Sequence, residues 1–155
     1  MSHAYLDITL HIVFSTKNHE PLIDSTLAPE IWRYLAGVGK AKGAMPYIVN
    51  GVRDHVHLLV SLPANISVGE LVRHLKGSSS HWVSKEFERH FAWQSGYSAF
   101  SVSRSNFEMT PRYISTQEVH HMRTSFQDEL VALLERHEID FDERHVGRGG
   151  LREIK

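Results

Sequence analysis

Two histidines and a tyrosine–glutamine pair are the side chains of this sequence whose types and spacing indicate chemistry. His55 and His57 alternate with apolar residues in a segment typical of a strand, where alternate residues share a face. Tyr113 and Gln117 are four residues apart in a predicted helix, a spacing that makes side chains neighbours. Imidazole nitrogens and amide oxygens bind metal ions, and a phenol can act as a nucleophile. The four side chains therefore predict a cation site with a tyrosine beside it.

Each of these residues also has an ordinary structural explanation. The sequence has 12 histidines in 155 residues, so about one His-x-His pair is expected by chance. Tyr113 at a helix start is typical of a packing tyrosine, and Gln117 alone is typical of a solvated residue. We favour the metal site because Tyr113 alone among the tyrosines has a glutamine four residues on, and because the other strand face is apolar. That face comprises Val56, Leu58, Val60 and Leu62.

Three polar residues near these motifs are left outside the predicted ligand set. His120 and His121 could complete a metal site, since His120 lies one turn beyond Gln117, but we favour a helix-face contact or a donor near a substrate for both. Asp54 could support a metal-bound histidine. Strand alternation would turn it away from the metal face, however, so we favour a role in a turn or cap.

The composition narrows the class of protein. With 41% hydrophobic residues, 155 residues suffice for one compact domain, and the lack of cysteine excludes disulfides and cysteine-zinc sites. A net charge of −1 argues against indiscriminate coating of nucleic acid and favours a local basic groove for any such contact. No leader-like segment and no apolar window of ~18 residues occurs, so we expect a cytoplasmic protein without a membrane span.

Hydrophobic periodicity predicts the order of elements. Ser67 and Glu70 form a capping box at the start of a long amphipathic helix. The order β-α-β-β-α-β indicates an α+β, ferredoxin-like (RRM-like) sandwich with two helices on one sheet face and the other face free. We expect strands over 5–14, 46–50, 53–60 and 97–103, helices over 26–41 and 67–87, and a hairpin between the second and third strands.

A further helix is predicted to carry the tyrosine. Thr110 and Pro111 fit the N-cap and first positions of this added C-terminal helix, which places Tyr113 in its first turn. Thr124 offers a cap for one more helix that ends near residue 137. We therefore predict a single catalytic domain over 1–137 and a C-terminal tail over 138–155.

With the elements in order, residues 54–60 resemble the His-hydrophobic-His motif of the single-tyrosine HUH transposases, the group of two-hundred-type insertion-sequence and REP-associated tyrosine transposases. The resemblance implies that His55, His57 and Gln117 bind a divalent metal and that Tyr113 is the nucleophile. Tyr113 would attack single-stranded, hairpin-bearing DNA and form a 5′-phosphotyrosine link. Further matching blocks lie at 75–80, 93–103 and 112–121.

The resemblance also implies a cofactor and partners. We expect Mg²⁺ or Mn²⁺: the ligand types favour manganese, cobalt or zinc over magnesium, and cellular abundance favours magnesium. Family members form dimers, so a homodimer is expected, with Tyr113 serving either its own chain or the partner. The predicted DNA contacts are Lys76, Ser78, Arg73, Arg53, Lys17 and Trp93.

Two other functions compete with this interpretation. The first is a non-catalytic, ferredoxin-like nucleic-acid-binding protein descended from a transposase, which would tolerate loss of the Tyr113 hydroxyl. The second is a two-histidine phosphoesterase, which would need a second His-x-Ser or His-x-Thr motif related by internal symmetry. The sequence shows no such repeat. The intact set of Tyr113, Gln117, His55 and His57 favours the enzyme.

Overall fold

A computed structural model describes residues 3–121 and 125–142. Its elements over residues 9–101 follow the order strand, helix, strand, strand, helix, strand, which confirms the predicted order. The strands are β1 (Thr9–Ser15), β2 (Pro46–Gly51), β3 (His55–Ser61) and β4 (Ser98–Ser101). The α-helices are α1 (Leu27–Ala41), α2 (Val68–Glu86), α3 (Met109–Ser115), α4 (Gln117–His120) and α5 (Phe126–Arg136).

The four strands form one antiparallel sheet in the order β2-β3-β1-β4. This topology confirms the predicted α+β, ferredoxin-like class and the hairpin between β2 and β3. β3 carries the two histidines and is hydrogen-bonded on both sides, to β1 and to β2. The backbone at His55 and His57 is therefore held from both edges.

One face of the sheet carries the hydrophobic core. Every second residue of the two central strands enters this core, as the alternation predicts. α1 and α2 pack their apolar stripes against the same face. Each such side chain contributes about 1.5–3 kcal/mol when fully buried. The central strands supply Leu10, Ile12, Phe14, Val56, Leu58 and Val60.

Two strands are shorter than predicted. β1 begins at Thr9 rather than at residue 5, because its pairing with β3 starts at Thr9 opposite Ser61. β4 covers only Ser98–Ser101, which is the length over which it pairs with β1. Strand length here follows the partner strand, which a single segment of sequence does not reveal.

Helix starts were predicted with mixed success. The Ser67 hydroxyl accepts a hydrogen bond from the Glu70 amide at 3.1 Å, which confirms the capping box of α2. The cap of α5 is Ser125, whose hydroxyl accepts from the Asp128 amide at 3.2 Å. The predicted cap at Thr124 was one residue early, and Thr124 itself lies outside the described residues.

The second sheet face, predicted to be free, is partly covered. α3 lies against β2 and β3, and the side-chain amide of Asn50 donates to the carbonyl oxygen of Ile114 at 2.9 Å. Ile114 is fully buried. The prediction of a free face was wrong because α3 brings its own apolar residue onto the sheet.

The contacts group the chain into two compact units, Met1–Gln117 and Glu118–Lys155. The sheet and α1 to α3 belong to the first unit, and α5 belongs to the second. The single domain over 1–137 stays a prediction, and most of the predicted tail lies outside the described residues. Within the described ranges, every helix is too short or too polar to span a bilayer.

Candidate metal centre

His55 and His57 lie on the sheet face opposite the core, as alternation along β3 predicts. Both side chains are fully buried. Ligand atoms of the two rings lie within 4.8 Å of each other, and the rings meet edge to face at 5.1 Å between centroids. The two imidazoles are thus close enough to bind one cation together.

A third histidine, which the sequence did not single out, joins this pair. His11 of β1 is buried, and its Nε2 lies 2.7 Å from Nδ1 of His57. The two rings stack at 5.0 Å with an interplanar angle of 28°. Alternation between the core residues Leu10 and Ile12 was the available signal, because it places His11 on the histidine face.

Asp54 contacts the first ligand directly. Its Oδ1 lies 2.8 Å from Nδ1 of His55, so the prediction that it turns away was wrong. Asp54 precedes β3, where strand alternation does not apply, and its carbonyl oxygen accepts from the amide of Thr16 at 2.8 Å. Burial lowers the pKa of His19, which lies nearby. The charge of Asp54 raises this pKa, and the charge of His55 lowers it further.

Gln117 is buried beside the histidines rather than solvated. Its Oε1 lies 3.3 Å from Nε2 of His55. Two ligands each about 2.1 Å from a metal, at angles between tetrahedral and octahedral values, lie about 3.0–3.4 Å apart. The separation of these two atoms therefore fits neighbouring ligands of one cation.

Tyr113 lies over the same place on the sheet. Its ring meets that of His57 edge-on at 5.7 Å and that of His11 at 6.1 Å. The side chain is half-buried, and its neighbour Ile114 anchors α3. One chain therefore brings together the tyrosine, the glutamine and the histidines that the sequence predicted as a group.

The helix that carries Tyr113 starts earlier and ends sooner than predicted. Thr110 is not the N-cap, since α3 begins at Met109 and the Thr110 hydroxyl donates to the carbonyl oxygen of Asn106 at 3.1 Å. Tyr113 is the fifth residue of α3, outside the first turn where the helix dipole acts most strongly. Thr116 caps α3, so Gln117 begins a separate helix, α4.

β2 approaches the histidine strand so closely that only glycine fits at one position. A Cβ atom added at Gly51 would lie 2.2 Å from the carbonyl oxygen of His55 and 2.9 Å from Cα of Val56. Gly51 therefore lets β2 pack directly against the backbone that carries the first ligand.

In the second compact unit, two histidines share one carboxylate. Nε2 of His121 lies 3.1 Å from Oε1 of Glu129, and Nε2 of His120 lies 3.2 Å from Oε2. Glu129, on α5, did not stand out in the sequence. The role of His120 and His121 as helix-face contacts or as donors near a substrate stays a prediction.

Two of the predicted DNA contacts hold the fold together. The ammonium of Lys76 donates to the carbonyl oxygen of Gln94 at 2.9 Å and to that of Gly96. Burial lowers the pKa of Lys76 to about 8. The indole of Trp93 is buried and donates to the hydroxyl of Ser79 at 2.8 Å. Lys76 and Trp93 thus join α2 to the segment before β4.

The other predicted DNA contacts fall in different places. Arg73 is exposed and lines, together with Lys76, a cavity of about 510 Å³. Lys17 and Arg53 are exposed and flank the hydrogen bond between Thr16 and Asp54. Ser78 is half-buried on α2. DNA contact by these side chains stays a prediction.

Comparisons with known proteins agree with this architecture. A protein from Deinococcus radiodurans R1 assigned as a transposase superposes with a TM-score of 0.61 at 20% identity, over 76% of this chain and 96% of that one. A REP-associated tyrosine transposase, solved bound to a REP hairpin, gives 0.59 at 16% identity, over 78% of this chain and 74% of that one. At these identities the likeness shows the fold alone. No curated protein matches the sequence.

The fold and the clustered side chains define an α+β protein with a histidine-rich candidate cation site on one sheet face. The profile of a family described as "Transposase IS200 like" matches residues 4–117, which is most of the chain. This protein therefore belongs to the IS200-like transposase family, which confirms the family resemblance. Membership places it among proteins of DNA transposition.

Proposed function

We propose that this protein cleaves and rejoins single-stranded DNA that carries a hairpin, through a covalent link between Tyr113 and a 5′-phosphate. The observation that carries the proposal is the convergence of Tyr113 and Gln117 with His55 and His57 on one sheet face. The REP-associated transposase that shares the fold was solved with a REP hairpin, which supports hairpin DNA as the substrate.

The donor set suits a divalent cation. We assign His55, His57 and Gln117 as its ligands, all neutral groups, so the charge of the ion would remain available to a phosphate. Asp54 and His11 contact the Nδ1 atoms of the two histidines, so Nε2 of each ring would be the atom that binds the metal. When bound, Mg²⁺ or Mn²⁺ would polarise a phosphoryl oxygen and stabilise the developing charge.

Tyr113 supplies the nucleophile in this proposal. Its phenol oxygen attacks the phosphorus of a phosphodiester, the bond from phosphorus to the 3′ oxygen breaks, and the phenol loses its proton. The departing 3′ oxygen takes up a proton and becomes a hydroxyl. An ester to a phenol retains much of the phosphodiester's energy, so a 3′-hydroxyl can reverse the reaction without an external energy source.

We propose that the tyrosine acts on the histidines of its own chain. Tyr113 meets the ring of His57 edge-on, and the Asn50 contact to Ile114 holds α3 in that place. The homodimer implied by the family resemblance is part of the proposal, and in it each protomer would contain a full site.

DNA binding would be local rather than general. The net charge of −1 gives no overall attraction to phosphate. The exposed cations Lys17 and Arg53 lie at the His55 end of the sheet and would contact the backbone there. We assign Arg73 and Ser78 to a DNA-facing surface of α2, while Lys76 and Trp93 would hold the neighbouring segment before β4 in place.

Covalent attachment tests the proposal. Labelled hairpin-bearing single strands, including strands from the DNA that flanks the gene, are incubated with the protein and Mn²⁺ or Mg²⁺ and run on a denaturing gel. A metal-dependent band of protein-linked DNA should form with the parent and with Tyr5→Phe, an exposed control tyrosine. The band should be lost with Tyr113→Phe and with His57→Ala.

The outcome also distinguishes the proposed enzyme from the competing nucleic-acid-binding protein. If DNA binds but never becomes attached with any of these strands, the protein is a non-catalytic binding module. If attachment survives Tyr113→Phe, another residue is the nucleophile.

A further inference from the structure

We propose that His11 is a positioning residue that keeps the proton of His57 on Nδ1 and so presents Nε2 as the metal ligand. The inference deepens the proposed function and rests on its metal site. His11 comes from β1, 46 residues away from His57 in the chain.

The geometry makes the contact specific. Nε2 of His11 and Nδ1 of His57 are 2.7 Å apart, a short hydrogen bond between two buried rings. The register of β1 and β3 sets this contact, because it places His57 opposite Val13 and His11 opposite Leu59. The two histidines are therefore diagonal neighbours on one sheet face.

A hydrogen bond between two neutral imidazoles allows only one proton arrangement that suits a metal. If His11 donated from Nε2, Nδ1 of His57 would accept, and Nε2 of His57 would carry the proton. That nitrogen could not then bind a cation. If His57 donates from Nδ1, its Nε2 presents a lone pair and His11 carries its proton on Nδ1. Metal binding at Nε2 of His57 thus requires the arrangement in which Nδ1 of His57 donates to Nε2 of His11.

The two ligand histidines use different partners for the same purpose. Asp54 contacts Nδ1 of His55 with a carboxylate, whereas His11 contacts Nδ1 of His57 with an imidazole. A carboxylate raises ligand basicity and adds negative charge, while a neutral imidazole orients the ring without adding charge. Because only one of the two ligand histidines contacts a carboxylate, less negative charge lies beside the cation, and more of its positive charge remains available to a phosphate.

The surroundings of His11 fix its own ring. It is 4% exposed and packs against Phe100 of β4 at 6.1 Å and against Tyr113 at 6.1 Å.

A matched pair of substitutions at His11 separates packing from hydrogen bonding. His11→Phe keeps an aromatic ring and removes the acceptor, while His11→Gln removes the ring and keeps an oxygen that can accept from Nδ1 of His57.

The first test reads the tautomer in the metal-free protein. Two-bond ¹H–¹⁵N correlation spectra identify which nitrogen of each histidine is protonated, and the signals of His57 are assigned by their loss in His57→Gln. We expect the Nδ1–H form of His57 in the parent and in His11→Gln, and the Nε2–H form in His11→Phe. An Nε2–H form in the parent, or an unchanged His57 in His11→Phe, overturns the proposal.

The second test reads metal affinity without DNA. Co²⁺ is titrated into each protein and followed by its visible absorption. His11→Phe should weaken binding by about 10–100-fold, and His11→Gln should bind close to the parent. Parent-like affinity in His11→Phe overturns the proposal. If the parent binds no Co²⁺ at all, the proposed metal site fails, whereas the spectra still decide what His11 does to His57.

Discussion

At the scale of single residues, alternation was informative only inside the strands. It placed His55 and His57 on one face correctly, because both belong to β3. It failed for Asp54, which precedes the strand and contacts His55 from a bend. His11 was missed because its contact to His57 depends on the register between two strands, which the sequence of either strand does not contain.

The Asp54 contact leads to a prediction about metal affinity. Asp54→Asn keeps an oxygen at the place of Oδ1 but removes the charge that raises the basicity of His55, so Co²⁺ affinity should fall by about 10-fold. Titration of the visible absorption of Co²⁺ measures this. Asp7→Asn, an exposed change on the Arg104 ion pair, is the control and should bind like the parent. Parent-like affinity in Asp54→Asn would show that the carboxylate does not support the ligand.

Gly51 leads to a prediction about stability. Gly51→Ala places a Cβ against the His55 carbonyl, so β2 must shift and the protein should lose about 1–3 kcal/mol of unfolding free energy. Gly37→Ala is the matched control, since nothing lies within 4 Å of a Cβ there. In the interior of α1 it should add about 0.5–1 kcal/mol. Urea unfolding measures both, and equal effects would mean that the close approach is not limiting.

At the scale of elements, the capping box and apolar stripe predicted α2 well because both signals are local. The connection from α2 to the segment before β4 was not predictable in this way. Lys76 reaches two backbone carbonyls in that segment, at Gln94 and Gly96. Its lysine type and neighbouring serines suggested DNA instead. A lysine that stabilises the fold and a lysine that binds DNA cannot be told apart from the sequence alone.

Lys76 should give the stability a measurable pH dependence. Burial lowers its pKa from 10.5 to about 8 in the folded protein, so between these values the unfolded chain binds more protons. Unfolding free energy contributed by Lys76 should therefore rise with pH across that window. Deprotonation leaves two N–H donors, enough for both carbonyls.

The measurement compares urea unfolding of the parent and of Lys76→Met from pH 7 to pH 10. The unfolding free energy of the parent should increase relative to that of Lys76→Met as pH rises above about 8. Lys85→Met, on the exposed surface of the same helix, should keep the pH dependence of the parent. A constant difference between parent and Lys76→Met would contradict the burial of the ammonium.

At the scale of the whole molecule, the four strands and the two covering helices followed from periodicity, and the ferredoxin-like class followed from their order along the chain. The position of α3 did not follow. It depends on Ile114 and on the Asn50 contact, which become visible only once the sheet exists. That position brings the Tyr113 ring next to the histidines of its own chain.

A complementation experiment tests this arrangement. Tyr113→Phe and His57→Ala are co-expressed with different tags and purified through both tags, or mixed if they do not copurify. Because each site is proposed to lie within one chain, neither variant chain contains an intact site. Attachment to labelled hairpin DNA should remain absent. Restored attachment would show that the tyrosine serves the histidines of a partner.

The edges of the sheet have a consequence for how copies of this protein meet. β4 is only four residues long, and β2 begins at Pro46 with a register shift before Ile48. Short strands, prolines and irregular registers prevent an edge from templating a further strand. Continuous strand addition between molecules is therefore disfavoured at both edges. The chain is protected against edge-to-edge aggregation at high concentration by the strands that flank the histidine face.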